Sequence, residues 1–146
     1  MLNKNPVSSA FTIYIPQDDC GSWNITHYPA FLLPKDVSIL VKPILTSKES
    51  NQMDIKSLQE VIESDLVAGN QPLLIVCRVG TTSSTLHDDI PAILNLNNDY
   101  KCWIHVEGID AIFYSLLDSN VTRCFDSITL DFMNWVPNMT LPKIVT

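Results

Sequence analysis

The segment that most constrains this chain is Leu73-Leu74-Ile75-Val76-Cys77-Arg78-Val79, an almost unbroken apolar run between Pro72 and Gly80. It has the length of a strand and no alternation of apolar and polar residues, so water can wet neither of its faces. A strand covered on both faces belongs inside a parallel sheet. The rest of the chain can then be read for elements that would build and cover such a sheet.

Phe11 to Ile15 is β-branched and aromatic and stops at Pro16, which predicts a short strand. Asp18 to Ser22 reads as a turn, and Trp23 to Leu33 carries a weak helical pattern broken by Pro29. Val37 to Val41 is a second strand candidate, followed by a polar loop over Thr46 to Gln52. Asp54 then opens the clearest helix, with apolar residues at Ile55, Leu58, Val61, Ile62 and Leu66 forming one stripe, and Gly69 ends it. Beyond the apolar run, Asp88 and Asp89 start a helix that reaches about Asn97, where carboxylates suit the N-terminal dipole. Cys102 to Glu107 is the next strand, Ala111 to Leu117 a short helix, and Ser127 to Asp131 the last strand. The order βαβαβ predicts an α/β fold with parallel strands joined by right-handed crossovers.

Composition excludes several classes. The chain has 146 residues, 46% hydrophobic and 17% charged, with a formal net charge of −7. This is one domain's worth of chain, too apolar for disorder. Its nine Lys and Arg are scattered singly, which argues against nucleic acid and against an anionic membrane surface. No window approaches the ~20 apolar residues of a membrane span, and the N-terminal residues lack a basic-then-apolar secretory pattern. The expectation is an intracellular, cytoplasmic protein in which the N-x-T sequons at Asn24, Asn120 and Asn138 are chance matches. Cys20, Cys77, Cys102 and Cys124 lie far apart and read as buried free thiols. Cys102 and His105 are three apart, which on a strand puts them on opposite faces, so no metal site is expected.

In open α/β sheets, binding groups gather beyond the carboxyl ends of the strands. That rule selects Gly80-Thr81-Thr82, Glu107-Gly108, and Asp131 to Trp135 as walls of one cleft. The strings at these places are VGTTSSTLHDDI, WIHVEG and FDSITLDFMNW. In that order and at those spacings they resemble the group II pyridoxal-phosphate-dependent amino-acid decarboxylases. The family pattern is GTT, five residues and an Asp; then W-[LIV]-H-V-D-A-A; then A-D-S-hydrophobic-T-hydrophobic-[DN]-P-H-K-W. The resemblance is clearest over Asn51 to Trp135. It implies the three-layer, mostly parallel sheet of the fold type I large domain, here incomplete, with residues 1–146 as its central part and no second domain.

The resemblance implies pyridoxal 5'-phosphate as cofactor and assigns roles residue by residue. Thr82 matches the threonine near the cofactor and Asp88 the acidic residue behind it. His105 falls in the motif beside the ligand, and Glu107 stands where an Asp pairs with the pyridine nitrogen. Glu has the right charge, but its extra methylene moves the carboxylate by more than ~1 Å. Ile109 replaces the alanine that packs on the ring. Aligned without gaps, Asn134 occupies the position of the lysine that forms the Schiff base, and Trp135 stays in register. An amide nitrogen is no nucleophile, because its lone pair is delocalised. Upstream, Cys20 falls where a histidine stacks on the ring, and His27 would need a gap to serve. Read without the motif, Asp88-Asp89 is an ordinary helix start, Thr81 and Thr82 shape a turn, His105 is a hydrogen-bonded core or cleft-edge residue, and Glu107 is a strand-end carboxylate.

Two functions follow from the resemblance. One is a carboxy-lyase acting on a small-molecule substrate, an amino acid, and catalytically impaired by Asn134. The other is a non-catalytic relative, a pseudoenzyme or interaction module that keeps the fold. The family also implies a homodimer in the full-length form. The match covers only the middle of a larger domain, so apolar core faces would lack their partners and the chain alone would dissolve poorly.

Overall fold

The computed structural model describes residues 10–19, 37–80, 87–108, 125–130 and 144–145. Six strands are formed: β1 is Phe11–Pro16, β2 Ile39–Ile44, β3 Gln71–Arg78, β4 Trp103–Gly108, β5 Ser127–Leu130 and β6 Ile144–Val145. Helix α1 is Ile55–Ala68 and α2 is Ile90–Tyr100. The strands make one sheet of order β2-β1-β3-β4-β5-β6. All neighbours are parallel except β5 and β6, which are antiparallel.

The apolar run is the β3 strand, and the packing shows why it has no polar side. Ile75 and Cys77 join one core with Tyr14, Leu58, Ile62, Ile90, Ile93, Ile104 and Val106. Val76, between them, joins a second core with Ile13 and Ile15. The first cluster contains the buried faces of both helices. Each fully buried Ile or Leu there contributes about 1.5–3 kcal/mol. The strands before Gly80, before Gly108 and before Asp131 lie side by side, as the sequence predicts.

Helix α1 begins and ends where expected. Asp54 accepts a hydrogen bond from the Ser57 amide at 2.9 Å, and Gly69 closes the helix at φ 83°. The stripe is different in its last turn: Asp65 is buried, whereas Leu66 is 48% exposed. Asp65 continues the inward face three residues after Ile62. It is held by Tyr14 Oη at 2.9 Å, Lys42 Nζ at 2.5 Å and Asn70 Nδ2 at 2.9 Å. A carboxylate with three donors survives burial that an unpaired one would not.

Strand β2 is shifted relative to the predicted Val37–Val41 and runs through Pro43. It is an edge strand, where a missing N–H need cost no ladder bond. Helix α2 is capped by Asp89, which accepts from the Ala92 amide at 3.0 Å, and extends past Asn97 to Tyr100. The Asn97 side chain then bonds both the N–H and the C=O of Cys102, at 2.8 Å each, joining the helix end to the start of β4. Cys77 and Cys102 are buried free thiols. Cys20, Cys124, the three sequons, the Trp23–Leu33 segment and the expected helix at Ala111 to Leu117 lie outside the described residues. Among the described residues, no helix is long and apolar enough to cross a membrane.

Candidate functional site

The strand order places a site before any side chain is considered. The chain passes from β1 outward to β2, returns across β1 to β3, and continues to β4 and β5. Its direction therefore reverses between β1 and β3, and such a switch point opens a crevice at the carboxyl ends of the strands. Around it stand Asp18 just after β1, Thr46 just after β2, Arg78 at the end of β3, and Glu107 and Gly108 at the end of β4.

Arg78 is buried, and its guanidinium joins this end of the sheet. Nη2 donates to the Asn51 carbonyl at 2.6 Å and lies 3.7 Å from Asp88 Oδ1, while Nη1 lies 3.9 Å from Asp18 Oδ2. Asp88 is buried as well. Its two oxygens accept from the Met53 and Arg78 amides, each at 2.7 Å, and its own N–H donates to the Arg78 carbonyl at 2.8 Å. Those bonds commit the Asp88 carboxylate to tying the segment before α1 and the segment before α2 onto the end of β3.

On β4, Trp103, His105 and Glu107 share one face, since alternate residues of a strand point the same way. Their neighbours are Leu74, Val76 and Arg78 on β3, and Ser127 and Thr129 on β5 beside His105 and Glu107. Trp103 Nε1 donates to Ser127 Oγ at 2.8 Å, Ser127 Oγ lies 2.7 Å from His105 Nδ1, and His105 Nε2 lies 2.9 Å from Thr129 Oγ1. Asp126 Oδ2 accepts from the Ile104 amide at 2.7 Å. Burial lowers the pKa of His105 and favours the neutral ring. The residues of two motifs, W-x-H-V-E and D-S-x-T, thus meet each other across adjacent strands.

Glu107 is half-buried at the end of β4, paired in register with Arg78 and Thr129. Its carbonyl accepts from the Val79 amide at 2.8 Å. Gly108 follows at φ 139°, and a Cβ there would stand 2.1 Å from the Val79 carbonyl oxygen and 2.5 Å from that of Gly80. No side chain fits between these strand ends as they stand.

Of the residues singled out in the sequence, the structure bonds Asp88 to Arg78, sets Glu107 in register with Arg78 on the next strand, and sets His105 two residues before Glu107 on the same face. Thr82, Ile109 and Asn134, with Cys20, His27 and Asp131 to Trp135, lie outside the described residues. Among the described residues no group of three or more His, Cys, Asp or Glu side chains is placed to hold a metal ion. Arg78 and its partners Asp18 and Asn51 were missed by the sequence reading. The available signal was the arginine itself, a charge inside an apolar run that demands buried partners.

A family model described as the pyridoxal-dependent decarboxylase conserved domain matches residues 37–115, more than half of the chain. Pyridoxal-dependent decarboxylase domain-containing protein 1 of Mus musculus is 36% identical over 103 residues, covering 64% of this chain and 13% of that protein. Tryptophan decarboxylase TDC1 of Camptotheca acuminata is 32% identical over 102 residues, covering 69% of this chain and 20% of that protein. Among solved structures, Oryza sativa TDC with PLP superposes with a TM-score of 0.70 at 20% identity, over 94% of this chain and 29% of that one. The fold is therefore that of the decarboxylase large domain, and the chain spans 12–13% of the length of the first curated relatives it matches. With the family model covering β2 through β4 and the motif residues of β4 and β5 locked together, the chain belongs to the pyridoxal-dependent decarboxylase family.

Proposed function

We propose that this chain is the central part of a pyridoxal-dependent decarboxylase large domain that does not release carbon dioxide from an amino acid. The observation that carries the proposal is Asn134, which follows the β5 motif at the position of the family's attachment lysine. None of the seven lysines, Lys4, Lys35, Lys42, Lys48, Lys56, Lys101 and Lys143, stands there. An amide cannot make the covalent link that the lysine makes.

The chemistry of the donor set fits a pyridoxal group held without that link. Glu107 offers a half-buried carboxylate at the open end of β4, suited to a protonated ring nitrogen. By resemblance, Thr82 and Ile109 would lie against the same group. His105 and Asp88 would support the site from behind, since their polar atoms are engaged by β5 hydroxyls and backbone amides. When bound, the pyridoxal ring withdraws the electron pair left as carbon dioxide departs, and a carboxylate at its nitrogen keeps that nitrogen protonated. Glu107 would do this from a longer stem than Asp. Gly108, standing where the family has alanine, belongs to a strand end drawn too close to Val79 for any Cβ. In the full-length protein this domain would pair as a homodimer, as the resemblance implies.

The test is to incubate the 146-residue chain with pyridoxal phosphate and a panel of amino acids and to measure carbon dioxide release. No release above a protein-free control is expected. Turnover on any amino acid would overturn the proposal.

A further inference from the structure

The hydrogen-bond chain across β4 and β5 has a fixed direction at one end, where only one group can donate. An indole N–H donates only, so Ser127 Oγ accepts from Trp103 Nε1 at 2.8 Å. The serine oxygen keeps one proton to give and a second lone pair, and His105 Nδ1 lies 2.7 Å from it. Burial favours the neutral ring, and a neutral ring that accepts at Nδ1 carries its one proton on Nε2, which lies 2.9 Å from Thr129 Oγ1.

We propose that Trp103 and Ser127 are positioning residues for Glu107, acting through His105. The chain Trp103 to Ser127 to His105 to Thr129 holds the imidazole in its Nε2–H tautomer and locks β4 to β5 at the two registers His105 with Ser127 and Glu107 with Thr129. The link to Glu107 rests on the reading of that carboxylate as the one facing the cofactor ring. Trp103 is 52% exposed. Its contribution is the indole proton that sets the chain's direction, rather than core packing. Ser127 is the junction: without its hydroxyl, Nδ1 loses its donor and the indole loses its acceptor.

The test uses the 146-residue chain labelled with 15N-histidine, whose long-range proton–nitrogen spectrum distinguishes the two neutral tautomers from the doubly protonated ring. There are three histidines, His27, His87 and His105, so H105N identifies the signal. Near pH 7 the wild-type ring is expected as a single Nε2–H tautomer. S127A and W103F are expected to give a mixture, and S127T, which restores the hydroxyl, the single tautomer again. A wild-type Nδ1–H or doubly protonated ring, or an unchanged tautomer in S127A, would overturn the proposal. A pyridoxal phosphate titration by absorbance supplies the second arm. S127A is expected to bind about 5-fold more weakly than S127T, equivalent to about 1 kcal/mol. Equal affinities would overturn the positioning of Glu107. A wild type with the expected tautomer but no uptake of pyridoxal phosphate would overturn the cofactor role of Glu107 and leave the tautomer assignment standing.

Discussion

Replacing Asp65 with alanine should cost about 3 kcal/mol, and the figure can be worked from its partners. The carboxylate is fully buried on α1 and accepts from Tyr14 on β1, Lys42 on β2 and Asn70 in the turn before β3. D65A leaves the buried Tyr14 hydroxyl without this acceptor, at about 1–3 kcal/mol. Lys42 keeps 32% of its side chain exposed. Its ammonium can turn to water and adds about 1 kcal/mol, rather than the several of a sealed pair. Asn70 retains its bond to the Ala10 amide at 3.3 Å and adds little. The sum is read by urea unfolding followed by circular dichroism. With a slope of about 1–3 kcal/mol/M, the midpoint should fall by about 1–3 M. Tyr14→Phe should cost less in the D65A background than alone, because the two side chains share one bond. Burial pushes the Asp65 carboxyl up, but the hydrogen bonds from Lys42, Asn70 and Tyr14 pull it down further, below the usual carboxylate range. A depressed folded-state pKa stabilises the fold above the unfolded value of about 3.9 and is lost as pH falls through the folded pKa. Wild type should therefore lose more stability in acid than D65A. A midpoint shift under about 0.3 M at pH 7, or identical acid profiles, would refute this account of the carboxylate.

Other expectations follow from the same geometry. G108A should destabilise by about 2 kcal/mol or more in thermal unfolding, since its methyl group would sit 2.1 Å from the Val79 carbonyl oxygen at a φ of 139°. L66K should change stability by less than about 0.5 kcal/mol because the position is exposed, whereas I62A, at a fully buried position one turn earlier, should cost about 2–5 kcal/mol. Burial pushes the Cys77 thiol well up and the Cys102 thiol up to about 11. Both should resist iodoacetamide in the folded protein at pH 7, as read by mass spectrometry, and react after denaturation.

The sequence made local features legible and left paired ones hidden. The apolar run predicted an interior strand because covering both faces is a property of the run itself. Asp54 and Gly69 marked the ends of α1 because capping is chemistry between near neighbours. Asp65 and Leu66 were exchanged because apolar periodicity treats a carboxylate as a surface residue. Its donors, Tyr14 and Lys42, lie 51 and 23 residues away. Arg78 was missed for the same reason. The apolar pattern ended the second strand at Val41, whereas at the sheet edge the strand runs on through Pro43. His105 was singled out by its motif, but its partners lie on the next strand, 22 and 24 residues on. Motif reading names such residues one at a time and does not show that they bond one another.

The central claim is that position 134 decides the chemistry. The most direct measurement compares the wild-type chain with N134K after incubation with pyridoxal phosphate, reduction with borohydride and peptide mass spectrometry. No stoichiometric pyridoxyl adduct is expected on any lysine of the wild type, and one adduct, at position 134, is expected in the variant. A stoichiometric adduct on a single wild-type lysine, or none at position 134 in a folded N134K chain, would contradict it.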